Sequence, residues 1–205
     1  MLYTDRNTMV LAVTGGIACG KSEVGRILGD LGFTVCDADR IAHGIMAPGT
    51  TVYRRIVENF GGNILAADGA IARSELARIV FDDPERMRML NGLVHPAVGE
   101  ALKAWIAEQR SARAHAAAQV PLLFESGMDR LGWDAVLCVS SSESRILERL
   151  GARGVAPREA RSRMASQMAL AEKERRSDGV IRNDGTMEEL EKATREAVAN
   201  LGFER

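Results

Sequence analysis

Two kinds of pattern share this chain. Short unbroken apolar runs alternate with amphipathic stretches at its two ends, and a long helical pattern lies between. Residues 9–14, MVLAVT, form an apolar run closed by glycines, as in a strand buried on both faces. Past Lys21 the apolar positions Val24, Ile27, Leu28 and Leu31 fall on one helix face, and Gly32 supplies the stop. FTVCD, 33–37, is a second strand. Helical patterning fills roughly 39–110, punctuated by Gly61-Gly62 and Asp68-Gly69, and Ala70-Ile71 is its only hint of extended chain. Asp83-Pro84 starts a helix there, and His95-Pro96 is expected to close one helix and open the next.

The alternation then resumes. AQVPLLFE, 118–125, and DAVLCVS, 134–140, are the third and fourth strands. A charged helical region follows at about 142–176, then a short fifth strand, DGVIRN, at 178–183. The last helix starts at Thr186, with Glu189 spaced for a capping box. Alternating strands and helices predict an α/β fold with a parallel sheet between helices. The ligand then belongs at the carboxyl ends of the strands.

Composition narrows this picture. Apolar residues make up 46% of 205, enough for a core, but aromatics only 4%, so aliphatic side chains must fill it. A net charge of −1 gives no ground for general nucleic-acid or membrane-surface binding. No window has the length of a membrane span, and MLYTDRNTMV lacks a signal-type apolar segment, so a cytoplasmic location is expected. Of the cysteines, none forms a CxxC pair, and Cys36 and Cys138 are expected to be buried and inert.

The candidate chemistry starts after the first strand. Gly15-Gly16-Ile17-Ala18-Cys19-Gly20-Lys21-Ser22 satisfies G-x-x-x-x-G-K-[ST] between a strand and a helix. Backbone N–H groups and the helix N-terminus would cradle phosphates, Lys21 would reach the β- and γ-phosphates, and Ser22 would ligate Mg²⁺. Ile17 stands where a dinucleotide fingerprint needs glycine. Asp37-Ala38-Asp39 ends the second strand; in extended chain the two carboxylates face one way, as a base and a water-mediated Mg²⁺ partner, or one of them caps the next helix. Arg145, Arg149 and Arg153 recur every four residues, with Glu148 expected to point elsewhere. Residues 141–176 carry nine Lys/Arg against five Asp/Glu, which suits either a flexible basic lid over the phosphates or a solvated face.

Several segments together, VTGGIACGKSEV, VCDADRIAHGIMAPGT, FGGNILAADGAIAR, LNGLVHPAV, VPLLFESG and GVIRNDGTMEEL, resemble the dephospho-CoA kinase family in content and order from about 9 to 197. The resemblance implies a P-loop nucleoside-kinase-like fold with a five-stranded sheet. Its core would be 9–38, 112–141 and 177–205, with a helical acceptor-binding insertion at 39–111 and a lid at 142–176. It implies transfer from ATP, with Mg²⁺, to the ribose 3′-hydroxyl of dephospho-CoA, by a monomer or small homo-oligomer. Gly15 to Ser22, Glu23, Arg149, Arg153 and Asn183 would bind ATP, Asn183 near the adenine. Asp39 would be the base, supported by Asp37, Lys21 and Arg149. Asp39, Arg73, His95 and Glu125 would serve the acceptor, although His95 could be an ordinary half-buried histidine and Glu125 a metal-side ligand or a cap. His43 is a weaker candidate.

The chain also departs from the family's pattern. Ala18-Cys19 replaces Gly-Ser or Gly-Thr, and Gly44 stands where a longer polar residue is expected. Ala18 then needs a negative φ or tolerable strain. Cys19 puts a thiol beside the phosphates, where oxidation could close the site. A regulatory GTPase is disfavoured because N-K-x-D is absent, and Asp129–Gly132 matches D-x-x-G only within a loop. A non-catalytic scaffold would lose Lys21 or the aspartates, and all are present.

Overall fold

β1 (Val10–Gly15) is buried along its whole length and forms the centre of the sheet. The computed structural model describes residues 8–81 and 83–203, so MLYTDRN, read above for a signal segment, lies outside the described residues. β3 (Ala116–Gln119) and β4 (Ala135–Ser140) flank β1, with β2 (Thr34–Asp37) and β5 (Gly179–Arg182) at the edges. Every pairing is parallel, in the order β2-β3-β1-β4-β5, so all five carboxyl ends share one edge.

Contacts divide the chain into two compact units, one up to Asp37 and from Trp105 onward, the other Ala38–Ala104. The first holds the sheet, α1 (Lys21–Asp30), α6 (Glu143–Ala152), α7 (Pro157–Ala165), α8 (Leu170–Arg176) and α9 (Met187–Asn200). Its core joins Leu11, Val13 and Leu137 of the sheet to Val24, Ile27, Ile146, Leu150 and Leu190 of the helices. Gly32 ends α1 at φ +93°, and the N–H of Phe33 returns to the Leu28 carbonyl at 3.0 Å. The Thr186–Glu189 capping box opens α9.

The second unit contains α2 (Ala38–Ile45), α3 (Thr51–Phe60), α4 (Arg73–Val80) and most of α5 (Pro84–Ser111). It has its own core of Ile56, Phe60, Ile64, Leu76, Val80 and Leu93. Thr50 caps α3 by accepting from the Tyr53 N–H at 3.0 Å. A single antiparallel bridge, Leu65 with Ile71, accounts for the extended hint at Ala70-Ile71. Asp83 Oδ1 accepts from the N–H groups of Glu85 and Arg86 and starts α5 at Pro84.

Three expectations give way. The third strand is 116–119, not 118–125. The ladder ends where Val120 donates to Val13 at 2.9 Å, because Pro121 has no N–H to continue it. The strand instead uses Ala116, Ala117 and Ala118, all fully buried, in a run whose low β-propensity concealed it. His95-Pro96 breaks nothing: α5 runs through Pro96. Pro96 and Gly92, four residues earlier, are both exposed, so the carbonyl that loses its helical donor faces water. Lastly, α2 begins at Ala38, so Asp37 and Asp39 do not lie in one extended stretch and the shared-direction argument fails for them.

Candidate active site

The glycine loop leaves the carboxyl end of β1 and enters α1 at Lys21. Gly15 has φ +144°, and a Cβ there would stand 2.1 Å from the Val139 carbonyl oxygen of β4. Gly20 has φ +101°, and a Cβ there would meet Asn183 Nδ2 at 2.2 Å. Neither position accepts a side chain. Between them Ala18 adopts φ +56°, left-handed for an L-residue, so the negative φ it would prefer is not adopted.

Side chains bind four of the loop carbonyls. Lys21 Nζ donates to Gly15 at 3.1 Å and Gly16 at 2.8 Å. Arg149 Nη1 donates to Ala18 at 3.2 Å. Asn183 Nδ2 donates to Cys19 at 2.8 Å, joined by Ser141 Oγ at 3.5 Å. A planar peptide that turns its carbonyl onto these donors turns the next N–H the other way. The N–H of Ile17 is taken by Gln167 Oε1 at 3.0 Å and that of Cys19 by the Gly16 carbonyl at 3.3 Å, and the loop runs on into the N-terminus of α1, which favours anionic oxygens.

Arg149 and Asn183 form one network. Arg149 reaches Ser141 Oγ at 3.0 Å and the Asn183 carbonyl at 2.8 Å, and the Asn183 N–H donates to Ser140 at 2.8 Å. Asn183 is only 7% exposed and supports the loop from within. Arg153 is the C-cap residue of α6 and is exposed; the arginine stripe ends one turn short of it. Glu148 does not point elsewhere. It pairs with Arg145 Nη1 at 2.9 Å, because residues three apart are neighbours on a helix. Glu23 turns along α1 to Arg26.

The basic stretch 142–176 is anchored rather than loose. Ile146, Leu150 and Ala160 are buried in the core. Lys173, fully buried, donates to the Pro121 carbonyl at 2.7 Å and pairs with Glu125 at 2.8 Å. Glu125 Oε1 also accepts the Met168 N–H at 2.9 Å. Burial is the largest single influence on Glu125 and opposes its ionisation. The bonds from Lys173 and Met168, with the Lys173 charge, outweigh it and hold the carboxyl below its ordinary value.

Cys19 is fully buried, its side chain packed in the core cluster, and burial raises its thiol pKa against the pull of Lys21 and Arg149. The thiol expected beside the phosphates is packed into the core instead. Cys138 is buried and Cys36 half-buried; burial pushes each thiol up to about 12.

Asp37, half-buried, ends β2 in register with Gln119 of β3, on the same sheet edge as the loop. In the helical unit, Asp39, His43 and Arg73 line a cavity of about 450 Å³ with Met46, Leu76 and Leu90. A short contact joins Arg73 Nη2 to His43 Nδ1. His43 thus belongs to this cavity more closely than its lone position in the sequence suggests. His95 is half-buried on α5, does not line that cavity, and burial lowers its pKa. Gly44 is exposed, with nothing near its absent side chain. Ser141, Gln167 and Lys173 also serve the site and were not foreseen. Their partners lie tens of residues or more away in sequence, so no local spacing marks them.

A family model described as dephospho-CoA kinase matches residues 9–189, which takes in the loop and the whole helical unit. The chain belongs to the dephospho-CoA kinase family. It is 41% identical to a dephospho-CoA kinase of Carboxydothermus hydrogenoformans over 194 residues, 94% of this chain and 92% of that one. Among solved structures, a Thermus thermophilus protein aligns at TM-score 0.77 and 31% identity, covering 95% of this chain and 98% of that one. The dephospho-CoA kinase of Campylobacter jejuni aligns at TM-score 0.69 and 25% identity, covering 94% and 96%. As a dephospho-CoA kinase family member the chain has the P-loop kinase fold, with the five-stranded parallel sheet expected from sequence. No helix among the described residues is long and apolar enough to cross a membrane.

Proposed function

We infer that this chain transfers the γ-phosphoryl group of ATP to the ribose 3′-hydroxyl of dephospho-CoA, giving coenzyme A and ADP, the last step of coenzyme A synthesis. The observation that carries this reading is the family match over 9–189, because it runs through the phosphate loop and the acceptor cavity alike. Gly15 to Ser22 hold the phosphates, with Lys21 at the β- and γ-groups. Arg149 and Asn183 keep the loop in shape, and we assign residues 142–176 as the lid.

The Ser22 hydroxyl, exposed in the first turn of α1, is a hard oxygen donor. No group of three or more His, Cys, Asp or Glu suited to a metal occurs among the described residues. That donor set fits Mg²⁺, which takes most of its ligands from phosphates and water. Once bound, Mg²⁺ neutralises charge on the phosphate oxygens.

Asp39 is assigned as the base for the acceptor hydroxyl, with Asp37 supporting it. Apolar walls beside Asp39, His43 and Arg73 suit an acceptor that is partly apolar and partly anionic, and we assign 39–111 to its binding. His95 is assigned to shaping that region. Glu125 is better assigned to anchoring the lid through Lys173 and Met168 than to touching the acceptor. The enzyme is proposed to act in the cytoplasm as a monomer or small homo-oligomer.

Acceptor-dependent ADP release tests the reading. Dephospho-CoA should support it, and adenosine or free pantetheine should not. Equal release with all three would overturn the acceptor assignment.

A further inference from the structure

A single peptide plane in the phosphate loop is held from both sides. The Gly16 carbonyl accepts from Lys21 Nζ at 2.8 Å. The N–H of that same peptide, carried by Ile17, donates to Gln167 Oε1 at 3.0 Å, across 150 residues. A trans peptide directs its carbonyl and N–H oppositely within its plane, so Lys21 and Gln167 hold it by opposite edges. Lys21 marks the β- and γ-phosphate end of such a loop. Gln167 holds the N–H of the peptide whose carbonyl Lys21 holds, and so stands one peptide unit from that end.

The turn that carries Gln167 is fixed. Its own N–H donates to Met164 at 3.2 Å, and the next N–H, of Met168, is bound by Glu125 at 2.9 Å. Glu125 is in turn fastened to the buried Lys173. The Gln167 side chain lines a cavity of about 550 Å³ together with Gly16, Ile17, Arg161 and Leu170. A carboxamide carries its oxygen and nitrogen on opposite sides of one carbon. With the oxygen on Ile17, two N–H donors remain on the –NH₂.

We propose that Gln167 is a positioning residue for the transferred phosphoryl group: its oxygen holds the Gly16–Ile17 peptide, and its –NH₂ donates to a γ-phosphoryl oxygen. This rests on the nucleotide reading above. It differs from a bracing role alone, because only the –NH₂ contact distinguishes a nucleotide with a γ-group from one without.

Calorimetry with Mg²⁺, ADP and the β,γ-imido analogue of ATP tests it. Gln167→Glu keeps an oxygen for the Ile17 N–H but loses the donor and adds a negative charge. Gln167→Ala loses both contacts. Gln167→Glu should bind ADP within about twofold of wild type, and Gln167→Ala, which also releases the Ile17 N–H, a few-fold more weakly than that. The imido analogue should bind about tenfold more weakly to Gln167→Ala, and more weakly still to Gln167→Glu. In turnover, kcat should fall while KM for dephospho-CoA holds. Equal weakening for the two nucleotides would make Gln167 a brace only and overturn the proposal, as would unchanged binding of the analogue. Wild type that binds neither nucleotide would instead overturn the nucleotide reading.

Discussion

Arg149 reaches across 131 residues to bind the carbonyl of Ala18 at 3.2 Å, and Ala18 is one of only two non-glycine residues at positive φ among those described. The strained residue and the charge that holds it form one device. A left-handed L-residue costs about 1–2 kcal/mol, and here the guanidinium fixes the peptide that follows it.

Replacing Ala18 by glycine should therefore stabilise the chain. Relief of the left-handed strain exceeds the added freedom of the unfolded chain, for a net gain of about 0.5–1 kcal/mol. Ala18→Val should lose about 2 kcal/mol, since a branched Cβ tolerates that φ least. Urea unfolding of the three proteins checks the order.

Arg149→Lys should behave nearly as badly as Arg149→Ala. One ammonium cannot serve Ala18, Ser141 and Asn183 with the geometry of a planar fork. Both variants should raise KM for ATP and lower kcat by about tenfold or more. Steady-state kinetics with wild-type turnover in the lysine variant would show that charge alone suffices.

The Lys173–Glu125 pair predicts a pH dependence. The folded pKa of Glu125 lies below its ordinary value, so its stabilising contribution is present above that value. It is lost as pH falls through the lower, folded value. Lys173→Met should cost about 3 kcal/mol near neutrality by leaving the carboxylate without its cation. Without Lys173, burial favours the neutral carboxyl, so the variant's penalty should shrink as pH falls and Glu125 takes up a proton. Unfolding free energies measured across acidic pH values compare the two directly.

Much of this was legible in the sequence, and the misses share a cause. β1 and the phosphate loop depend on residues adjacent in the chain, so apolar runs and glycine spacing expose them. β3 is hidden because its alanines suit a strand enclosed on both faces while lacking the β-branched signal. The unbroken α5 depends on Pro96 and Gly92 facing water, which periodicity alone does not assign. Arg149 was legible as a candidate, but its partners were not, because Ser141 and Asn183 come together only when β4 and β5 pair.

Cys19 supplies a prediction where the structure reverses the sequence expectation. Its thiol is fully buried and disfavoured as thiolate, so mild peroxide should leave kinase activity unchanged. Mass spectrometry of the peptide carrying Cys19 should find the thiol unmodified. Rapid oxidation of Cys19 with parallel loss of activity would show that the loop opens far more than its packing implies.

The product of the wild-type reaction tests the central claim most directly. Incubated with MgATP and dephospho-CoA, the enzyme should form one ADP for each acceptor consumed. Mass and phosphorus spectra should find a product heavier by one phosphoryl group, as a monoester on the ribose 3′-oxygen. ADP formed without acceptor, or a phosphoryl group at any other position, would contradict the account.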